Sequence, residues 1–266
     1  MSLSPALDRF GADYAQHRAA EGRALPFDAV ASLPYLHHGP FVRQWAVKAR
    51  SYETFVARVL WPLARAAKGP LFTLDLGAGN GWLGHRLARE GHYGLAVDIR
   101  DDSIDGLGVA RALLAGTGFE CRVASFDCLP VADAAADLAI FNASLHYSSD
   151  LGATLREARR VVRAGGRIAI LDSPFYRRDA HGAAMVAEKH AGAEATFGAR
   201  ADALLGLGCI EYLTREALAG ASHGLGIRWR RHRVRYPLWY EARPLLAAFR
   251  HRRPPSRFDL WEGEVA

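Results

Sequence analysis

The sequence predicts an α/β protein with a doubly wound, mostly parallel sheet. Three observations predict it. Between residues 70 and 175, short apolar runs alternate strictly with helical stretches, as a parallel sheet covered on both faces requires. The first apolar run ends in a glycine-rich turn, Asp75-Leu76-Gly77-Ala78-Gly79-Asn80-Gly81, followed by a helical repeat. The segments on either side, 1–69 and 175–222, read as helical.

Taken in order, Leu7, Phe10, Tyr14 and His17 fall at helical spacing. Pro26, Pro34 and Gly39-Pro40 then mark a turn-rich stretch. Tyr52, Phe55, Val56, Val59, Leu60 and Leu63 share the face of a second helix, which Pro62 should end or kink. Gly69-Pro70 closes this N-terminal part. Leu71–Leu74 is the first strand. Trp82, Leu83, Leu87 and Ala88 give the helix after the turn. Strands are expected at Gly94–Ile99, Phe119–Ala124, Asp137–Asn142 and Arg167–Leu171, with helices at Gly106–Leu114 and Leu151–Val162, the latter closed by Gly165-Gly166. Residues 181–205 are Ala-rich with breaks, and Thr214 is an N-cap for a helix to Ser222. Ile227–Tyr236 and Arg257–Trp261 suit two late strands.

With 266 residues, half of them hydrophobic, the chain can bury a large core. The formal charge is +6 and the pI about 9.5. Only Lys48, Lys68 and Lys189 are lysines, a skew that discounts the basic balance as a sign of nucleic-acid binding. Cys121, Cys128 and Cys209 have no metal-ligand spacing, so neither a disulfide framework nor a metal site is expected. No apolar run approaches the length of a membrane span and the N-terminus lacks a signal-peptide core. The reading is a cytoplasmic protein without a membrane partner, of undefined oligomeric state.

A glycine-rich turn at a helix N-terminus brings a ligand close to bare backbone and unpaired N–H groups. Gly79-x-Gly81-x-x-Gly84 matches the dinucleotide fingerprint literally. Three features oppose that reading. The strand ends before Gly77, and from that first glycine the sixth position is Trp82. Asp75 lies two residues ahead of Gly77. Asp127 lies just past the third strand. Three carboxylates then have separate tasks: Asp75 helps hold a cationic amino-acid group, Asp98 accepts from ribose hydroxyls, and Asp127 accepts from an adenine amino group. Hydrogen bonds to charged groups contribute roughly 1.5–3 kcal/mol each. A ligand with a cation, a ribose and an adenine but no pyrophosphate is S-adenosylmethionine.

Asp75-x-Gly77-x-Gly79-x-Gly81, Asp98, Ser125-Phe126-Asp127 and Arg160-Val161-Val162-Arg163-Ala164-Gly165-Gly166 resemble the successive motifs of class I S-adenosylmethionine-dependent methyltransferases, in the small-molecule branch related to quinone-biosynthesis enzymes. The resemblance covers residues 70–175. It implies a Rossmann-like methyltransferase fold, with a seven-stranded sheet whose last strand is antiparallel. It implies a helical lid from residues 1–69, on a domain of residues 70–266 in which 175–222 is a helical insertion contributing to the acceptor pocket. It places Gly77, Ala78, Gly79, Asn80 and Gly81 under the cofactor's methionine part, Asp98 and Ile99 beside ribose and adenine, Asp127 and Cys128 at the adenine edge, and Asn142 and Ala143 facing the sulfonium.

The acceptor pocket is expected at Asn142-Ala143-Ser144-Leu145-His146-Tyr147. This departs from the N-P-P-Y motif of enzymes that methylate nucleobase or glutamine amino groups. His146 is the candidate base, since its ordinary pKa is near neutrality, although His146 and Tyr147 can equally serve as walls. Asp172 and Tyr176 are further candidates, and one of Tyr14, His17, Arg50 and Tyr52 should reach the cofactor or the acceptor. The expected activity is methyl transfer to a small metabolite or natural product. RNA methylation through Arg228, Arg230, Arg231, His232, Arg233 and Arg235 with Trp229 and Tyr236 interleaved, and through a second cluster of Arg250, His251, Arg252 and Arg253, is the alternative, as is a cofactor-binding protein without transferase activity.

Overall fold

The computed structural model describes residues 5–198, 201, 205 and 208–266; the remainder of the expected Ala-rich stretch, and the side chain of Leu7, lie outside the described residues. The N-terminal part comprises α1 (Pro5–Ala20), α2 (Phe27–Ser32), α3 (Val42–Phe55), a π-helical turn (Val56–Leu60) and α4 (Trp61–Ala67). The helix does not end at Pro62. The π turn, in which the Trp61 N–H donates to the Val56 carbonyl, carries the chain from α3 into α4.

The alternating region follows as β1 (Phe72–Leu76), α5 (Trp82–Arg89), β2 (Tyr93–Asp98), α6 (Leu107–Leu113), β3 (Phe119–Val123), β4 (Ala136–Asn142), α7 (Leu151–Val161) and β5 (Val162–Leu171). Then come α8 (Asp179–Ala191), α9 (Ala193–Phe197), α10 (Arg215–Ala221), β6 (Ile227–His232), α11 (Leu238–Glu241), α12 (Arg243–Phe249) and β7 (Leu260–Val265). Thr214 caps α10 as expected, accepting from the Ala217 N–H at 3.0 Å.

The seven strands lie in the order β3-β2-β1-β4-β5-β7-β6. The first five are parallel, and β7 runs antiparallel to both β5 and β6. Chain order reverses between β1 and β4, which makes the crevice beyond their carboxyl ends the natural ligand site of such a sheet. Side chains alternate across the sheet with period two. Leu138, Ile140, Ala169 and Leu171 join the core under α3 and α5, while Leu74, Leu76, Ala139, Phe141, Ile168 and Ile170 join the core under α7 and α10. Burying a Leu or Ile side chain is worth about 1.5–3 kcal/mol, so both faces hold their helices firmly.

Two expectations are corrected. Gly165-Gly166 does not close α7, which ends at Val161. The pair lies within β5, where the register to β4 jumps from Ala136↔Val162 to Leu138↔Arg167, and Gly165 adopts φ +76° in that bulge. The last strand begins at Leu260, not Arg257. Arg257 instead forms an isolated bridge to Phe175.

Candidate active site

A cavity of about 800 Å³ opens beyond the carboxyl ends of β1, β4 and β5. Gly77, Ala78, Gly79, Asn80 and Trp82 form one side, Asn142, Ala143, His146 and Asp172 another, and Tyr14, Arg18 and Lys48 close it from α1 and α3. The glycines are required by contact and by conformation. Gly77 has φ +79°, and a Cβ there would collide with the Ser144 side chain; Gly81 has φ +77° and its Cβ would lie 2.7 Å from that of Ala110. Ser144 in turn donates to the Leu76 carbonyl at 2.5 Å, locking the ends of β1 and β4 together.

The N–H groups of the turn are already engaged. Those of Gly77 and Ala78 both donate to the Val97 carbonyl, that of Gly79 to Asp98 Oδ2 at 2.8 Å, that of Gly81 to the Ala78 carbonyl and that of Trp82 to Asn80 Oδ1. The expectation of free N–H donors at these positions is corrected. A pyrophosphate would find few donors here, so the loop suits a ligand that needs close backbone approach and not an anion seat. Asn142 Oδ1, by contrast, is buried without a hydrogen-bond partner among the described residues. A buried acceptor of this kind is costly unless a ligand donor answers it.

Eight of the expected site residues line the cavity: Gly77, Ala78, Gly79, Asn80, Asn142, Ala143, His146 and Tyr147. Six do not. Asp75 is 1% exposed. Strand alternation turns it under α5, where Oδ2 accepts from the Gly84 N–H at 3.2 Å and Oδ1 has no hydrogen-bond partner among the described residues; burial, opposed by that bond, raises its pKa to about 7. Asp75 therefore supports the turn from beneath and is corrected as a direct lining residue. Gly81 packs on α6. Asp98 is buried and accepts from the N–H groups of Gly79 and Arg100, and burial raises its pKa. Ile99 is half-buried beside it, and Asp127 and Cys128 are exposed past the end of β3. Arg100 itself lines the cavity, and its guanidinium stacks over Tyr14 at 5.0 Å.

The acceptor side is built from distant segments. Ser51 Oγ donates to Asp172 Oδ1 at 2.6 Å and lies 3.0 Å from the Tyr236 hydroxyl, which donates to the Phe258 carbonyl. Burial raises the Asp172 pKa, while Lys48 and the Ser51 bond hold it down. Burial also lowers the Lys48 pKa, against the pull of Asp172, and its Nζ lies 5.2 Å over the Trp45 ring. His146 Nδ1 is 3.4 Å from Ser173 Oγ; burial, with Lys48 and Lys189, pushes its pKa down to about 3. His146 is thus neutral and a weak base. The Tyr147 hydroxyl meets that of Tyr14 at 3.2 Å.

Of the four N-terminal candidates, Tyr14 and His17 line the cavity; Tyr52 packs in the core against Trp82, and Arg50 pairs with Glu53 on the surface. Tyr176 is buried away from this cavity and accepts from Arg253. Lys48, Trp82 and Asp105 line the cavity but carry no sequence signal for a site; each is one polar or aromatic residue on an otherwise ordinary helix or loop. The arginine run is paired in part, and Arg230 and Arg235 make no ion pair among the described residues. Arg228 reaches Glu264, Arg231 reaches Asp259, and His232 reaches Glu262 at 2.7 Å. That pairing offsets part of the charge an RNA backbone would need.

The strand order, the reversed strand and the glycine turn between β1 and α5 are those of the Rossmann-like methyltransferase fold. Residues 74–170 match the family described as the methyltransferase domain. Malonyl-[acyl-carrier protein] O-methyltransferase 1 of Coxiella burnetii is 34% identical over 97 residues, 36% of this chain and 32% of that protein. The corresponding enzyme of Erwinia pyrifoliae is 31% identical over 99 residues, 37% of this chain and 36% of that protein. The chain thus matches these curated relatives over about a third of their length. Among solved structures, magnesium protoporphyrin IX methyltransferase from Synechocystis superposes with a TM-score of 0.56 at 16% identity, covering 95% of this chain and 98% of that one. The YcgJ protein of Bacillus subtilis gives 0.55 at 14% identity, covering 74% and 92%. These two likenesses concern the fold.

Proposed function

We propose that the protein transfers a methyl group from S-adenosylmethionine to a small-molecule acceptor in the cavity between the glycine turn and α3. The observation that carries this reading is the unanswered Asn142 Oδ1 beside a turn whose glycines admit no side chain. The residues present fit the cofactor. Gly77–Asn80 and Asn142–Ala143 would hold its methionine part, with Asn142 Oδ1 accepting from the ammonium group, and Asp98 would hold the ribose. Residues 1–69 then act as the lid and Lys189 brings the 175–222 insertion to the acceptor side.

When bound, the cofactor supplies a methyl carbon activated by a positively charged sulfur. The protein's task is then to align an acceptor atom with that carbon, for which positioning offers about 7–11 kcal/mol in favourable cases. Where the acceptor arrives protonated, a base is needed. Asp172 is better matched than His146. Its pKa is raised into a more basic range, whereas His146 is too acidic as a cation to hold the proton. We assign Asp172 the proton-accepting role, at the carboxylate oxygen not bonded to Ser51, and His146 and Tyr147 the positioning of the acceptor.

Calorimetry with S-adenosylhomocysteine and with NADH tests the reading. Binding of S-adenosylhomocysteine is expected, weakened about tenfold or more by Asp98→Ala, which removes an acceptor from both the ribose site and the turn. Binding of NADH alone would overturn it. Tight cofactor binding with failure of every acceptor screen would favour a binding protein without transferase activity.

A further inference from the structure

We propose that the segment around α11 and α12 docks the protein peripherally on an anionic membrane surface, with the mouth of the cavity turned towards the lipid. Large apolar side chains stand in water there: Leu238 is 88% exposed, Leu245 76%, Phe249 86%, Leu246 51% and Trp239 41%. Leu245 and Phe249 are four residues apart on α12 and share one face. A surface of this kind marks an interaction site more often than a solvated one.

The surrounding charge selects the partner. Within residues 233–258 the sole acid is Glu241, which pairs with Arg233 and Arg257. Arg235, Arg250 and Arg252 are exposed and make no ion pair among the described residues. Apolar side chains interleaved with unpaired arginines seat at the boundary between acyl chains and anionic headgroups. A nucleic acid would engage the arginines and leave the leucines and Phe249 in water. A second copy of the chain would cover the apolar side chains but bring like charges together. Trp239, Tyr240 and Arg243 from this segment also line the cavity, so the docked surface and its mouth are continuous. Peripheral contact departs from the sequence expectation of no membrane partner, which rested on the lack of a run long enough to span a bilayer; no described helix is long and apolar enough to cross one.

The test is co-sedimentation of the full chain with vesicles of phosphatidylcholine alone and of phosphatidylcholine and phosphatidylglycerol in equal parts. Association with the anionic vesicles, weakening as salt is raised, is expected. The double variants Leu245→Ser/Phe249→Ser and Arg250→Glu/Arg252→Glu should each weaken it about tenfold or more, because binding combines apolar burial with attraction to anionic lipid. Their melting temperatures and S-adenosylhomocysteine binding should match wild type, since these side chains lie in neither core nor cavity. Absence of vesicle binding, vesicle binding indifferent to both variants, or a dimer in ultracentrifugation that Phe249→Ser abolishes without any vesicle binding would each overturn the proposal. None of these readouts depends on methyl transfer.

Discussion

Asp75 and His146 resist ionisation for the same reason, burial, but with opposite consequences for stability. The folded-state pKa of Asp75 rises from 3.8 to about 7. Between these values the folded protein binds more protons than the unfolded chain, so the stabilising contribution is complete below pH 3.8 and lost as pH rises through about 7. Asp75→Asn should therefore stabilise the ligand-free protein at pH 8 by on the order of a few kcal/mol, seen as a higher melting temperature, and have a clearly smaller effect at pH 5. Thermal melts at the two pH values check this; equal effects at both would refute it. His146 is depressed from 6.5 to about 3, so its contribution is present above pH 6.5 and lost as pH falls towards about 3. His146→Gln should make the acid limb of the stability profile shallower. On any acceptor that screening yields, Asp172→Asn should lower kcat by about 10²–10⁴-fold, the range of a lost general base, while His146→Gln acts mainly on KM. Steady-state kinetics separates the two roles.

At the scale of elements, α1 is fastened to the glycine turn through a short chain of polar contacts. Arg18 Nε donates to Asp105 Oδ2 at 2.9 Å, and Asn80 Nδ2 donates to Asp105 Oδ1 at 2.8 Å. Phe10 and Tyr14 stack at 5.6 Å and lean on Tyr147. Arg18→Ala should loosen α1 at a cost of about 1.5–3 kcal/mol, the value of a charge-assisted hydrogen bond. The expected result is faster proteolysis near residues 20–23 and faster release of S-adenosylhomocysteine, read by limited digestion and stopped-flow. The turn itself is less forgiving. Gly77→Ala places a methyl group against Ser144 at a positive φ, and should abolish S-adenosylhomocysteine binding in calorimetry. The residue that a sequence reader values most in this turn, Asp75, serves it from below, because strand alternation points it at α5. The motif reads correctly from sequence, whereas the direction of its acid does not.

For the whole molecule, a ligand that binds only the folded state must stabilise all of it. S-adenosylhomocysteine at a hundredfold excess over its dissociation constant should add about 2.7 kcal/mol, seen as a rise in melting temperature that NADH does not produce. The order of strands and helices was legible because each has its own apolar period, and residues 74–170 carry both that pattern and the family match. The same logic misplaced the last strand. Arg257 and Phe258 look like strand residues, yet the pairing partners of β7 begin at Leu260, and only the assembled sheet defines them. The basic run of β6 reads as a patch, but Glu264, the partner of Arg228, and Glu262, the partner of His232, lie on β7, 36 and 30 residues away and adjacent only after pairing.

By itself the sequence determined the α/β class, the turn at Gly77–Gly81, the carboxylate at the tip of β2 and the cofactor they imply. The class, the turn and the carboxylate rest on local periodicity and on steric demands within a few residues, whereas the cofactor rests on the roles expected of the acids and on the resemblance to class I methyltransferases. Only the tertiary structure decided the acceptor side. Tyr14, Lys48, His146, Asp172 and Trp239 come from five separate segments and share one cavity because the sheet reverses its order beside β1 and gathers the loops there. Burial then sets their chemistry: it leaves His146 neutral and raises the Asp172 pKa, a difference that no single stretch of chain encodes.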